Sequence, residues 1–132
     1  MSDSAPSMPS ALVVEDDDQI AYLLQFILKK EGYAVAVARD GLEAKKVIAD
    51  SDAPAFVTLD FMLPHANGLE LLALIRAKPG WKDVPVLMLT ARSQEKDIAH
   101  ARASGATDYL VKPFKPEELR ACVRRLVGNP AP

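Results

Sequence analysis

The chain has 132 residues, 49% of them hydrophobic, and a formal net charge of -2, which fits one domain with its own core and excludes two ordinary ones. Mean hydropathy is near zero, no apolar run approaches the roughly 18–20 residues of a membrane span, and the charge balance gives no general pull toward nucleic acid or an anionic bilayer. The single cysteine, Cys122, excludes an internal disulfide and suits a reducing compartment; Met1 to Ser10 lacks the basic and apolar regions of a signal peptide, so a cytoplasmic protein is expected.

Residues 1–10, rich in Ser, Pro and Asp, read as a disordered lead-in. Ala11–Val14 is a short buried strand. Ile20, Leu23, Leu24, Ile27 and Leu28 then fall on one helix face; Asp17 or Asp18 caps that helix and Gly32 stops it. Tyr33–Val37 is a second strand, and Asp40 caps a helix carrying Ala44, Val47 and Ile48. Ala55–Leu59 is a third, almost wholly apolar strand. Leu71, Leu72 and Ile75 mark a third helix, ended by Pro79–Gly80. Val84–Leu89 is a fourth strand, followed by a more polar helix over about 93–103. Tyr109–Val111 is the fifth strand. The last helix starts near Pro116 and carries Leu119, Cys122, Val123 and Leu126 on one face. Residues 11–127 form one domain and 128–132 a tail.

Apolar strands alternating with amphipathic helices predict an α/β fold: a doubly wound (βα)5 sandwich, with a five-stranded parallel sheet covered on both faces. Chemistry in such folds sits outside the carboxyl ends of the strands. There the chain places Glu15 to Asp18 after strand one, Asp60 after strand three, Thr90 after strand four and Lys112 after strand five. Two carboxylates about 4 Å apart repel by roughly 4 kcal/mol at an effective dielectric of 20. Converging acids therefore need a cation, and a hard divalent ion such as Mg²⁺ suits oxygen ligands. With that charge neutralised, a carboxylate can attack phosphorus; phosphoryl transfer asks mainly for in-line positioning and electrostatic support. Four consecutive acids in the first loop argue against a phosphate-cradling cofactor site there.

LVVEDD (12–17), LDFMLPHANGLE (59–70), LMLTAR (87–92) and DYLVKPF (108–114), in this order and spacing, resemble the receiver domain of two-component response regulators. The resemblance covers residues 11–127 and implies the flavodoxin-like fold. It implies that Asp60 is the phosphoacceptor, that Asp16 binds Mg²⁺ directly and Glu15 through water, and that Met62 lends its backbone carbonyl to the metal. Thr90 is implied to hydrogen-bond the phosphoryl group, Lys112 to pair with it, and the Lys112–Pro113 bond to be cis. Tyr109 matches the switch aromatic, turning inward as Thr90 moves toward the phosphate, while Pro64 and Gly68 shape the loop after the acceptor. The implied donor is a phosphohistidine on a histidine kinase or histidine phosphotransfer protein. Slow self-catalysed loss of phosphate follows, tuned at Met62 and Arg92.

The implied output is a protein-binding surface on helix four, strand five and helix five, read by a downstream protein partner, with a phosphorylation-dependent homodimer left open. Direct nucleic-acid binding and membrane contact within the chain are not expected. Helix four reads as unusually apolar through Ile98, Ala99, Ala101 and Ala103, and Ile98, Ala103 and Cys122 replace charges usual in the family's dimer network, to which Asp108 and Arg124 are assigned. Asp17 and Asp18 read as helix-start acids, His65 and His100 as exposed residues, Cys122 as core and Trp81 as a packing plug. An aspartyl-nucleophile phosphatase is disfavoured, because Asp60 follows strand three and is trailed by Phe61 and Met62. A phosphorylation-dead module is disfavoured by the intact set Glu15, Asp16, Asp60, Thr90 and Lys112. No DNA-binding segment follows Val127, so the chain reads as a stand-alone receiver or as a piece of a larger regulator or hybrid kinase.

Overall fold

The computed structural model describes residues 8–63 and 66–128. Pro64 and His65 lie outside the described residues, as do most of the expected lead-in and the end of the tail. Strands β1 (Ser10–Val14), β2 (Ala34–Ala38) and β3 (Phe56–Leu59), the two-residue strands β4 (Met62–Leu63) and β5 (Ala66–Asn67), and strands β6 (Val86–Thr90) and β7 (Asp108–Val111) alternate with five helices. The helices are α1 (Asp18–Lys30), α2 (Gly41–Asp50), α3 (Gly68–Ala77), α4 (Glu95–Ala103) and α5 (Pro116–Leu126). The main sheet has five strands in the order β2-β1-β3-β6-β7, all parallel. The predicted doubly wound architecture is therefore present. The short antiparallel β4–β5 ribbon after Asp60 was not foreseen; two residues per strand carry no readable alternation.

The period of two along each strand divides the core. Leu12, Val14, Val57, Leu59, Val86 and Met88 face one side, with Ile48 of α2, Leu72 of α3 and Ala101 of α4. Ala11, Val13, Phe56, Leu87 and Leu89 face the other, with Leu24 and Leu28 of α1 and Leu119 and Val123 of α5. Leu23, predicted for the buried face of α1, is 37% exposed, and Ala21 takes the inner place. Asp17 accepts from the amides of Gln19 and Ile20 and so caps α1, while Asp18 pairs with Arg39. Both are helix-start acids, as their positions imply.

The end of the sheet opposite the strands' carboxyl termini is tightly tied. Arg76 of α3 donates to the carbonyls of Lys82 and Val84 before β6 and of Gly105 before β7, at 2.7–3.0 Å. Lys78 donates to the Ile48 and Ala49 carbonyls at the end of α2, where free carbonyls and the helix dipole favour a cation. Trp81, 1% exposed, donates its indole N–H to the Ser51 carbonyl at 3.1 Å and is the expected packing plug.

Thr58 is 1% exposed and sits between Val13 and Leu87 in the sheet. Its hydroxyl has no hydrogen-bond partner among the described residues. Burying such a group costs free energy that a methyl would not. Thr58→Val is therefore expected to raise stability by about 1 kcal/mol, read as a higher midpoint at unchanged slope in urea unfolding. A lower midpoint would show that the hydroxyl is satisfied.

Candidate functional site: an acidic rim at the carboxyl ends of the strands

The parallel ladder brings the acids together. Glu15 follows β1 and donates its amide to the Ala38 carbonyl at 3.0 Å; Asp60 follows β3 and donates its amide to the Val14 carbonyl at 3.3 Å. Neighbouring strands thus end in step, and their next side chains converge where the sheet order turns between β1 and β3. Glu15, Asp16 and Asp60 each offer a carboxylate oxygen, all within 4.8 Å of one another. Glu15 is 2% and Asp60 8% exposed, whereas Asp16 faces solvent.

Lys112 arrives from the end of β7. Its amide donates to the Thr90 carbonyl at 2.8 Å, which joins it to the end of β6, and the Lys112–Pro113 peptide is cis, as the resemblance implied. Its ammonium donates to Glu15 Oε1 at 2.7 Å and Asp60 Oδ2 at 2.8 Å. The second oxygen of each buried acid takes a backbone amide, Asp17 N–H to Glu15 and Met62 N–H to Asp60, both at 3.2 Å. Burial pushes the Glu15 carboxyl above its ordinary value, and the Lys112 ammonium opposes that shift. Burial presses the Lys112 ammonium the other way, but its two carboxylate partners prevail and hold it above its ordinary value.

Thr90 is 2% exposed, with its hydroxyl beside the Arg92 amide at 3.5 Å. Arg92 occupies the rim. Its guanidinium lies 4.9 Å from the centre of the Phe61 ring, 3.2 Å from the Met62 sulfur and 3.4 Å from Asp97 Oδ1 in α4. Its carbonyl accepts from the Tyr109 hydroxyl at 2.9 Å. All seven sequence-predicted residues, Glu15, Asp16, Asp60, Met62, Thr90, Tyr109 and Lys112, therefore stand on one end of the sheet. Phe61 and Asp97 were missed. Phe61 follows Asp60 directly, so adjacency could have flagged it; nothing in the sequence pairs Asp97 with Arg92.

The surface of α4, β7 and α5 matches its sequence reading only in part. Of the helix-four residues read as an apolar face, Ala101 is 0% exposed and belongs to the core, whereas Ala99 and Ala103 are exposed as expected; Cys122, 4% exposed, is core, as its position implied. Ile98 is half-buried, while Glu95, Lys96, His100 and Arg102 are exposed. Within the chain, Arg125 and Arg102 reach Asp108 at 3.1 and 3.5 Å, whereas the neighbouring Arg124 turns to Glu31 at 3.3 Å. One residue along a helix is about 100° of rotation, which sequence alone does not resolve.

The response regulator receiver domain model matches residues 11–124. The chain is 43% identical over 113 residues to the DNA-binding response regulator MtrA of Mycolicibacterium paratuberculosis, covering 86% of this chain and 48% of that protein. It is 37% identical over 125 residues to the phosphate regulon transcriptional regulatory protein PhoB of Rhizobium meliloti, covering 95% and 55%. The chain thus spans about half the length of these curated relatives. Among solved structures it is similar to the chemotaxis response regulator CheY4 of Vibrio cholerae, with a TM-score of 0.85 and 32% identity over 91% of this chain and 99% of that one. It is also similar to the receiver domain of sensor histidine kinase PA1611 of Pseudomonas aeruginosa, which has a magnesium ion coordinated in its active site cleft, with a TM-score of 0.83 and 30% identity over 92% and 99%. Fold, acidic rim and matches agree, and the chain belongs to the response regulator receiver domains of two-component signal transduction.

Proposed function

We propose that Asp60 accepts a phosphoryl group from a phosphohistidine on a histidine kinase or histidine phosphotransfer protein. The convergence of Glu15, Asp16 and Asp60 with the Lys112 ammonium between two of them carries this reading. Three oxygen-donor carboxylates fit a hard divalent cation, and Glu15, Asp16, Asp60 and the Met62 carbonyl would hold Mg²⁺. When bound, the ion neutralises charge on the phosphoryl oxygens and on the acids.

An Asp60 oxygen attacks phosphorus, the phosphorus–nitrogen bond of the donor breaks, and the imidazole nitrogen keeps the electron pair. Lys112, already against Asp60, pairs with a phosphoryl oxygen of the product. The Thr90 hydroxyl can turn its proton toward another phosphoryl oxygen. That movement draws on the loop whose Arg92 carbonyl holds the Tyr109 hydroxyl, so Tyr109 serves as the switch and α4, β7 and α5 as the surface read by a downstream protein. Met62 and Arg92, in contact above the acceptor, hinder water, and the phosphoryl group persists for many minutes or longer.

Incubation with Mg²⁺ and acetyl phosphate, followed by intact mass measurement, tests the proposal. One added phosphoryl group is expected on the wild type and none on Asp60→Ala. An adduct that survives in Asp60→Ala places the acceptor elsewhere. Steady turnover of phosphate esters without an adduct favours a phosphatase.

A further inference from the structure

The Arg92 side chain meets three partners on two sides. Phe61 and Met62, the two residues after the acceptor, hold it on the β3 side, and Asp97, in the first turn of α4, holds it on the other. The guanidinium therefore spans the rim between β3 and α4. The acceptor beneath is only 8% exposed although Met62 itself is 57% exposed. The arginine end of the tether is 43% exposed and the aspartate end 16%, so the fixed point is Asp97. A long side chain at a rim samples many rotamers unless both ends are held. The Phe61 ring and the Met62 sulfur are weak, tolerant partners; the carboxylate is the one directional contact.

We propose that Asp97 is a positioning residue that holds Arg92 across the mouth of the site, and that this tether sets the hydrolysis rate of the phosphoryl group on Asp60. The inference rests on the reading of Asp60 as acceptor and adds to it a residue outside the acidic rim. In the hydrolytic step a water oxygen attacks phosphorus and the bond from phosphorus to Asp60 oxygen breaks. The carboxylate leaves with the electron pair, the water proton passes to solvent, and inorganic phosphate departs. Arg92 takes no part in bond making. Held by Asp97, it narrows the path by which that water arrives; released, it swings into solvent and opens the path.

The test uses the full chain, phosphorylated with acetyl phosphate and Mg²⁺, freed of donor, and followed by intact mass over time. Asp97→Ala and Arg92→Ala are each expected to speed phosphoryl loss by about tenfold, and the double variant no further than either single one. Asp97→Glu restores slow loss, because it returns the carboxylate. Glu95→Gln, which removes another first-turn acid of α4, leaves the rate unchanged; this separates the tether from a helix-dipole effect. Wild-type lifetime in Asp97→Ala, or additive effects in the double variant, would overturn the tether while leaving Asp60 as acceptor. Absence of any adduct on the wild type overturns the acceptor reading and the tether with it.

Discussion

Replacing Lys112 with methionine is expected to lower stability by about 3 kcal/mol at neutral pH without metal, and to abolish adduct formation with acetyl phosphate. Methionine keeps the length and apolar stem of lysine, so packing changes little. The charge is what disappears. The Lys112 side chain is 12% exposed and its partners Glu15 and Asp60 are 2% and 11% exposed at the side chain. Removing the ammonium leaves two buried carboxylates, close together and with no cation between them. The pH dependence has a definite sign. Burial already holds the Glu15 carboxyl above its ordinary 4.5, and losing Lys112 raises it further. A carboxyl raised in the folded state contributes stability below its ordinary value and loses it as pH rises through the folded value. The deficit of the variant is therefore small near pH 4, grows toward neutrality and then levels. The lysine's own contribution in the wild type is present below its ordinary 10.5 and lost only above it, so it adds no slope near pH 7. Urea unfolding at several pH values in EDTA measures this. Adding Mg²⁺ is expected to return part of the loss. A pH-independent change under 0.5 kcal/mol would show that Lys112 is not the counter-charge.

Gly68→Ala is expected to be nearly as damaging, for a steric reason. Gly68 opens α3 and donates its amide to the Phe61 carbonyl at 2.7 Å. A Cβ there would lie 2.2 Å from the Asp60 carbonyl oxygen and 2.9 Å from the Phe61 Cα. Those are backbone atoms, tied to the sheet, and cannot swing away as a side chain would. The glycine is required for its size, since its backbone conformation is one any residue adopts. A loss of about 3 kcal/mol is expected in unfolding experiments, together with slower adduct formation because Asp60 itself is displaced. Wild-type stability in this variant would mean that the α3 start shifts freely. That would undo the view of the helix as a fixed backstop for Asp60.

Much of this was legible in the chain. Strand and helix periods gave the (βα)5 order, because apolar runs as short as VLMLT (86–90), flanked by turn signals, suit parallel strands buried on both faces. The rim followed from topology, since Glu15, Asp60, Thr90 and Lys112 each lie at or just past a strand end. What stayed hidden depends on rotation and reach. The exposure of Leu23, the Arg125–Asp108 pair and the Asp97–Arg92 contact each turn on about one residue of helix phase or on side-chain conformation. The β4–β5 ribbon is short enough that only its contacts define it. Gly41, whose Cβ would meet the Ala66 side chain at 2.3 Å, marks that ribbon as packed against the start of α2.

The guanidinium of Arg76 gathers three segments of chain, and Lys78 and Trp81 add a fourth. All lie at the end of the sheet away from the acids. The base of the sheet is thereby fastened by side chains as well as by its own ladder. In the proposed switch, a shift of Thr90 and Arg92 would meet this fastened base and turn sideways, into the segment that leads to α4.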